Sequence, residues 1–179
     1  MLEILTKLAP LDRVSRVVDP SSFVASPGIW AAVQANGSVA NCDAAAQKTL
    51  HKLVIGSASA NIYESHDIEV GRCATLEHVF RASVDTDGFQ ETLGGTELTT
   101  AVSYVAGDEL TVAHLTTSAT NQTAITYCKA ADLGKLRPIL ATSTQEQGKI
   151  VVARVESFDA TNNVLTFNTV TPYPKVIDT

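Results

Sequence analysis

The chain has 179 residues, with an apolar share of 45% and a charged share of 18%. That suits one domain of ordinary size with a sizeable buried core, and it excludes wholesale disorder. Thirteen Lys and Arg against nineteen Asp and Glu leave a net charge of −6, the wrong sign for a surface that neutralises nucleic-acid phosphates or an anionic membrane.

Residues 1–27 read as an N-terminal arm. Leu2, Leu5 and Leu8 recur at a spacing of three, enough for a short helix at most, which Pro10 would end. Val14, Val17, Val18, Phe23 and Val24 follow without a clean period. An apolar segment with no core of its own lies on something else, either its own domain or a neighbour. Leu5, Leu8, Val14, Val17 and Val18 are therefore the expected partner contacts. The opening MLEILTKLAPLDR shows no basic leader, apolar stretch and small-residue cleavage site, so no signal peptide is expected. No run approaches the length of a membrane-spanning helix, and none is expected either.

Residues 28–137 contain no proline, which suits a block of hydrogen-bonded strands with no ladder donor missing. A first strand covers residues 28–33 and turns at Asn36-Gly37, a strong hairpin dipeptide. A second covers 49–55 and is ended by Gly56. Strands at 67–76 and 78–84 follow, with Asp87-Gly88 as the next turn. Strands at 98–104 and 109–115 flank the short loop Ala106-Gly107-Asp108. Residues 149–158 alternate, with Ile150, Val152, Arg154 and Glu156 on one face and Val151, Ala153 and Val155 on the other. Residues 159–163 make a turn into a partner strand that starts at Val164. Helical signal is thin: residues 43–48 and 130–133 would each form one turn. The threonine-rich stretch 115–126 suits a surface loop or edge strand. The expected fold is all-β, an antiparallel β-barrel or sandwich with an extended N-terminal arm. Residues 1–27 are the arm, and 28–179 are a single β-rich domain with a C-terminal tail.

Residues able to carry chemistry are scattered. Cys42, Cys73 and Cys128 are odd in number and far apart, which gives neither a disulfide framework nor a CxxC half-site. They read as small buried thiols. His51, His66, His78 and His114 lack metal-ligand spacing. In His66-Asp67-Ile68-Glu69 a strand would send the histidine to the face opposite the two carboxylates. Asp85-Thr86-Asp87-Gly88 lacks the remaining ligands of a calcium loop and reads as a turn. Gly56-Ser57-Ala58-Ser59 is not a nucleophile elbow, and Gly94-Gly95-Thr96 lacks the lysine of a phosphate loop. Trp30 reads as core. No catalytic, metal or cofactor residue is expected. Charge is uneven: residues 64–109 hold ten acidic side chains against Arg72 and Arg81, which fits an acidic outer face or ordinary solvated loops.

The layout resembles the capsid decoration (cement) proteins of tailed bacteriophages. The resemblance rests on Gly28-Ile29-Trp30 with Asn36-Gly37-Ser38, the strand 52–56, Asp67-Ile68-Glu69-Val70-Gly71 and the stretch 107–112. It continues in Gly134-Lys135-Leu136, residues 151–155 and Leu165-Thr166-Phe167, and so covers most of residues 28–170. It implies a virion structural protein on the capsid exterior, made in the host cytoplasm. Its implied partners are the major capsid protein and further copies of itself, with no nucleic acid, no membrane, no cofactor and no catalysis. Two other classes compete. One is another phage assembly part, such as a tail-tube, fibre or baseplate β-domain; the other is a small ligand-binding or enzymatic β-barrel.

Overall fold

A computed structural model describes residues 1–6, 13–18, 27–40, 42, 51–57, 72–77, 79–93, 100–113, 132–139 and 148–176. In these, the short Val-, Ile- and Thr-rich runs become strands. They are β1 (Leu2–Ile4), β2 (Arg13–Val17), β3 (Trp30–Val33), β4 (Val39–Ala40), β5 (His51–Ser57), β6 (Arg72–Leu76) and β7 (Arg81–Val84). Then follow β8 (Thr92–Leu93), β9 (Thr100–Ala101), β10 (Glu109–Val112), β11 (Leu136–Pro138), β12 (Ile150–Asp159) and β13 (Val164–Pro174). The all-β expectation holds, and the described strands of the sheets pair antiparallel.

Two sheets carry the molecule. The first runs β1-β7-β13-β12-β10-β11, the second β2-β6-β5-β3-β4, and β8 pairs with β9 as a small ribbon. Both sheets curl. In the second, Val18, just past β2, bridges in parallel to Val39 of β4, so the two edges meet and the five strands form a small barrel. In the first, residues 88–90 carry the chain from β7 across to β11. There the Gln90 N–H donates to the Leu136 carbonyl (2.9 Å) and the Leu136 N–H to the Gly88 carbonyl (2.8 Å).

The period-two alternation of strands gives the second sheet two apolar faces. Val18, Ala31, Val39, Val54 and Cys73 fill the small barrel. The intervening residues Trp30, Ala32, Leu53 and Leu76 join Phe89, Leu110, Leu136, Leu165 and Phe167 in the main core between the sheets. Phe89, Tyr104 and Phe158 pack there with ring centroids 5.3–5.5 Å apart. The Tyr104 hydroxyl donates to the Gln90 carbonyl at 2.7 Å, and burial holds the phenol in its protonated form.

Several expectations need correction. The described parts of residues 1–27 are strands of the domain's own sheets: β1 pairs with β7 and β2 with β6. Residues 2–4 and 13–17 are therefore parts of the sheets, and a deletion that removed them would take one strand from each sheet. Gly56 does not end the second strand; β5 runs through it to Ser57, with an irregularity between Val54 and Gly56. The alternation of residues 150–158 is broken by register shifts, so Val152, Ala153 and Val155 all enter the main core. Pro138 lies in edge strand β11, where a missing donor does least harm.

Candidate functional site

His51 opens β5 on the face that looks toward the six-stranded sheet. It stands opposite Ala32, while Trp30 stands opposite Leu53, so the imidazole and the indole are diagonal neighbours on one face. Both are buried, His51 at 3% exposure and Trp30 at 4%. Among the described residues, neither imidazole nitrogen nor the indole Nε1 has a hydrogen-bond partner. Burial drives the His51 pKa from 6.5 down to about 4, because desolvation penalises the charged ring. At neutral pH it is a neutral imidazole with one N–H donor and one lone-pair acceptor.

The two side chains line a cleft of about 200 Å³ between the sheets. Leu76, Phe80, Val152, Val170 and Pro172 supply its apolar wall. The wall exists because β13 carries extra residues: between Val151↔Tyr173 and Ala153↔Thr169 the register shifts, and residues 170–172 bow out of the ladder. Thr169 closes the bulge against β7. Its hydroxyl accepts from the Phe80 N–H at 2.7 Å and donates to the Phe80 carbonyl at 3.1 Å.

The rim is charged but internally paired. Glu77 accepts from Arg16 Nη2 and Lys52 Nζ, each at 3.0 Å. Lys52 also donates to the Glu77 backbone carbonyl at 3.1 Å, and Arg16 to the Gly37 carbonyl at 3.1 Å. Burial pushes the Glu77 carboxyl up, yet the hydrogen bonds from Lys52 and Arg16 outweigh it and hold the group below the usual range. Glu77→Gln should therefore cost about 2–3 kcal/mol at pH 7, since two half-buried cations lose their anion. The Glu77 contribution is present above the ordinary carboxylate pKa and is lost as pH falls through the lower folded value. Urea denaturation at pH 7 and in acid checks this, with the two proteins converging in acid.

The described residues expected to meet a partner do not share one face. Leu5 is 37% exposed beside β1, and Val17 is 49% exposed on β2. Val18 is 7% exposed and fills the small barrel, so it cannot serve as a surface contact; Val14 is half-buried and shares its face by alternation. Leu8 lies outside the described residues. So do Cys128, His66, Asp67, Glu69, His78, His114 and the glycine pair at 94–95. Cys42 and Cys73 are buried thiols; the Cys42 thiol donates to the Trp30 carbonyl at 3.3 Å, and burial raises the Cys73 pKa. Asp85 accepts from the Asp87 N–H at 3.2 Å and pairs with the Met1 amino group. Among the described residues, no group of three or more His, Cys, Asp or Glu side chains could hold a metal ion. No family model, curated protein or solved structure matches the chain.

Proposed function

We propose that the chain is a virion structural protein that decorates or cements a phage capsid by binding the major capsid protein, and that further copies of itself are its second partner. This role places it on the capsid exterior and asks for no catalytic residue. The observation that supports it is the edge of the six-stranded sheet at β1, which no other described strand pairs on its outer side. β1 is the outermost strand there. The backbone bonds around it run inward: the Leu5 and Thr6 N–H groups donate to the Arg81 carbonyl, and the Asp85 N–H to the Met1 carbonyl. Met1 and Leu5, at 82% and 37% exposure, flank the strand. An outermost strand with apolar side chains beside it, and no described strand on its outer side, suits addition of a partner strand. The N-terminal segment then contributes a docking edge on a folded body.

The test is co-sedimentation of the purified protein with shells of the major capsid protein encoded beside its gene, together with mass spectrometry of purified particles. Stoichiometric binding that survives high salt and is weakened by Leu5→Glu supports the reading. Absence from particles overturns it. Recovery with isolated tails in place of capsids would favour the tail-tube, fibre or baseplate reading.

A further inference from the structure

We propose that Asn36 is a site of spontaneous modification, at which the backbone rearranges to isoaspartate and loosens the closure of the small barrel. This goes beyond the virion reading and stands without it, because it concerns the β3–β4 turn and not the β1 edge. Asn36 and Gly37 are exposed at the tip of that turn. The Asn36 side chain folds forward along the chain: its Oδ1 accepts from the Ser38 N–H at 3.0 Å. The Ser38 hydroxyl lies 2.7 Å from the same oxygen and 2.8 Å from Gln34 Oε1. The ring closed by the Ser38 N–H contains both Asn36 Cγ and the Gly37 nitrogen, so the two atoms that would react are held in one tight turn. Gly37 has φ +83°, and nothing lies within 4 Å of a Cβ built there, so the space beside its nitrogen is open.

The step balances with water alone. The Gly37 nitrogen loses its proton to hydroxide and bonds to Asn36 Cγ. Negative charge develops on Oδ1, where the Ser38 N–H already donates. The Cγ–Nδ2 bond then breaks, and ammonia leaves with a proton returned by water. A second water opens the five-membered imide. Opening at Cγ gives aspartate; opening at the main-chain carbonyl gives isoaspartate, whose backbone runs through Cβ and Cγ and is one carbon longer. The Gly37 N–H first has to leave the Gln34 carbonyl, 2.9 Å away, and at an exposed tip such local opening costs little.

The added carbon falls where the barrel has little slack. The Gly37 carbonyl accepts from Arg16 Nη1 at 3.1 Å. The same guanidinium donates to Thr75 Oγ1 at 3.1 Å and to Glu77 at 3.0 Å, so Arg16 ties β2 both to β6 and to this turn. Two residues on, Val39 pairs with Val33 and bridges to Val18, in a strand only two residues long. A longer turn moves the Gly37 carbonyl off Arg16 and shifts β4 against β3, which parts the edges that close the barrel.

The full-length protein is held at mildly alkaline pH and mapped over time by peptide mass, with isoaspartate O-methyltransferase labelling to count the rearranged product. A synthetic peptide of residues 34–39 runs beside it. Asn36 should convert at least about tenfold faster than any other asparagine of the folded chain. Amide hydrogen exchange over residues 13–18 and 39–40 should then rise by about tenfold in the isoaspartate form. Asn36→Asp carries the same new charge on a backbone of normal length and should exchange like fresh wild type. The proposal is overturned if Asn36 keeps its amide while the peptide converts, or if another asparagine converts as fast. It is likewise overturned if the isoaspartate form exchanges no faster than fresh protein, or if Asn36→Asp matches it. The comparison of fresh and converted wild type stands even if the variant does not fold.

Discussion

An alanine at position 134 is expected to lower the unfolding free energy by roughly 2–5 kcal/mol. Gly134 sits at φ +82°, where an L side chain costs about 1–2 kcal/mol. A Cβ there would also lie 2.5 Å from both the Trp30 carbonyl oxygen and the Ile29 Cγ2, and relieving such overpacking costs about 1–3 kcal/mol more. The backbone cannot step aside freely. The Gly134 carbonyl accepts from the Trp30 N–H at 2.8 Å, and its N–H donates to the Ala113 carbonyl at 2.9 Å. Gly134 is thus the point where the turn before β11 touches the start of β3, and the contact joins the two sheets. At about 2–4 °C per kcal/mol for a chain of this size, the melting temperature should fall by roughly 5–20 °C. Gly107→Ala is the control, because φ there is +95° but nothing lies within 4 Å of an added Cβ. Calorimetry of both variants isolates the steric part; equal losses would show that the close approach at Gly134 does not matter.

Mild acid should weaken the fold through His51. The unfolded imidazole takes up its proton near pH 6.5, the buried one only near pH 4. Between those values the unfolded chain binds more protons, so stability is whole above the unfolded value and falls as pH drops, by about 3 kcal/mol from this residue between pH 7 and pH 4. The charged groups on the same cleft are Lys52 and Glu77, with Arg16 bonded to Glu77. Glu77 adds a separate loss further into acid, because its folded pKa is already lowered. His51→Phe isolates the histidine. Its stability profile should be flatter between pH 6.5 and 4, and at pH 7 it should equal or exceed the wild type by about 1–2 kcal/mol, since an unpartnered buried ring is removed. Parallel slopes for the two proteins over that window would contradict the burial of a neutral imidazole.

Local pattern carried the strands, and long-range placement did not show in it. The hairpin of β12 and β13 is legible because the sequence of residues 150–158 reads as alternating, although register shifts break that alternation in the fold, and because the Asp159 carboxylate ties its own turn, accepting from the Thr161 and Asn162 N–H groups. Asn36 announces the β3–β4 turn in the same way, with its side chain accepting from the Ser38 N–H. The N-terminal strands are harder to read. On β2 the barrel-facing side holds Val14 and Val18 but also Arg16, whose guanidinium is occupied at the rim, while Val17 faces outward. That mixture blurs the period and makes a docked edge strand look like an aimless apolar arm. The cleft was out of reach for a different reason. His51 lies in a run of Leu and Val that reads as an ordinary strand, and its neighbours Trp30, Phe80 and Pro172 come from distant parts of the chain. No spacing rule joins them; only the bulge at residues 170–172 and the turn from one sheet to the other do.

The pairing of β1 with β7 and of β2 with β6 has a consequence for synthesis. Leu2 finds its partner at Val84 and Arg13 at Leu76, so β1 and β2 have nothing to join until roughly sixty to eighty further residues have been made. At about 5–20 residues per second this wait lasts several seconds. Throughout it Leu2, Ile4 and Val18 are exposed to whatever else in the cell will cover an unpaired strand. Chaperone demand should therefore concentrate on nascent chains in which β1 has emerged and β7 has not, and fall once β7 follows.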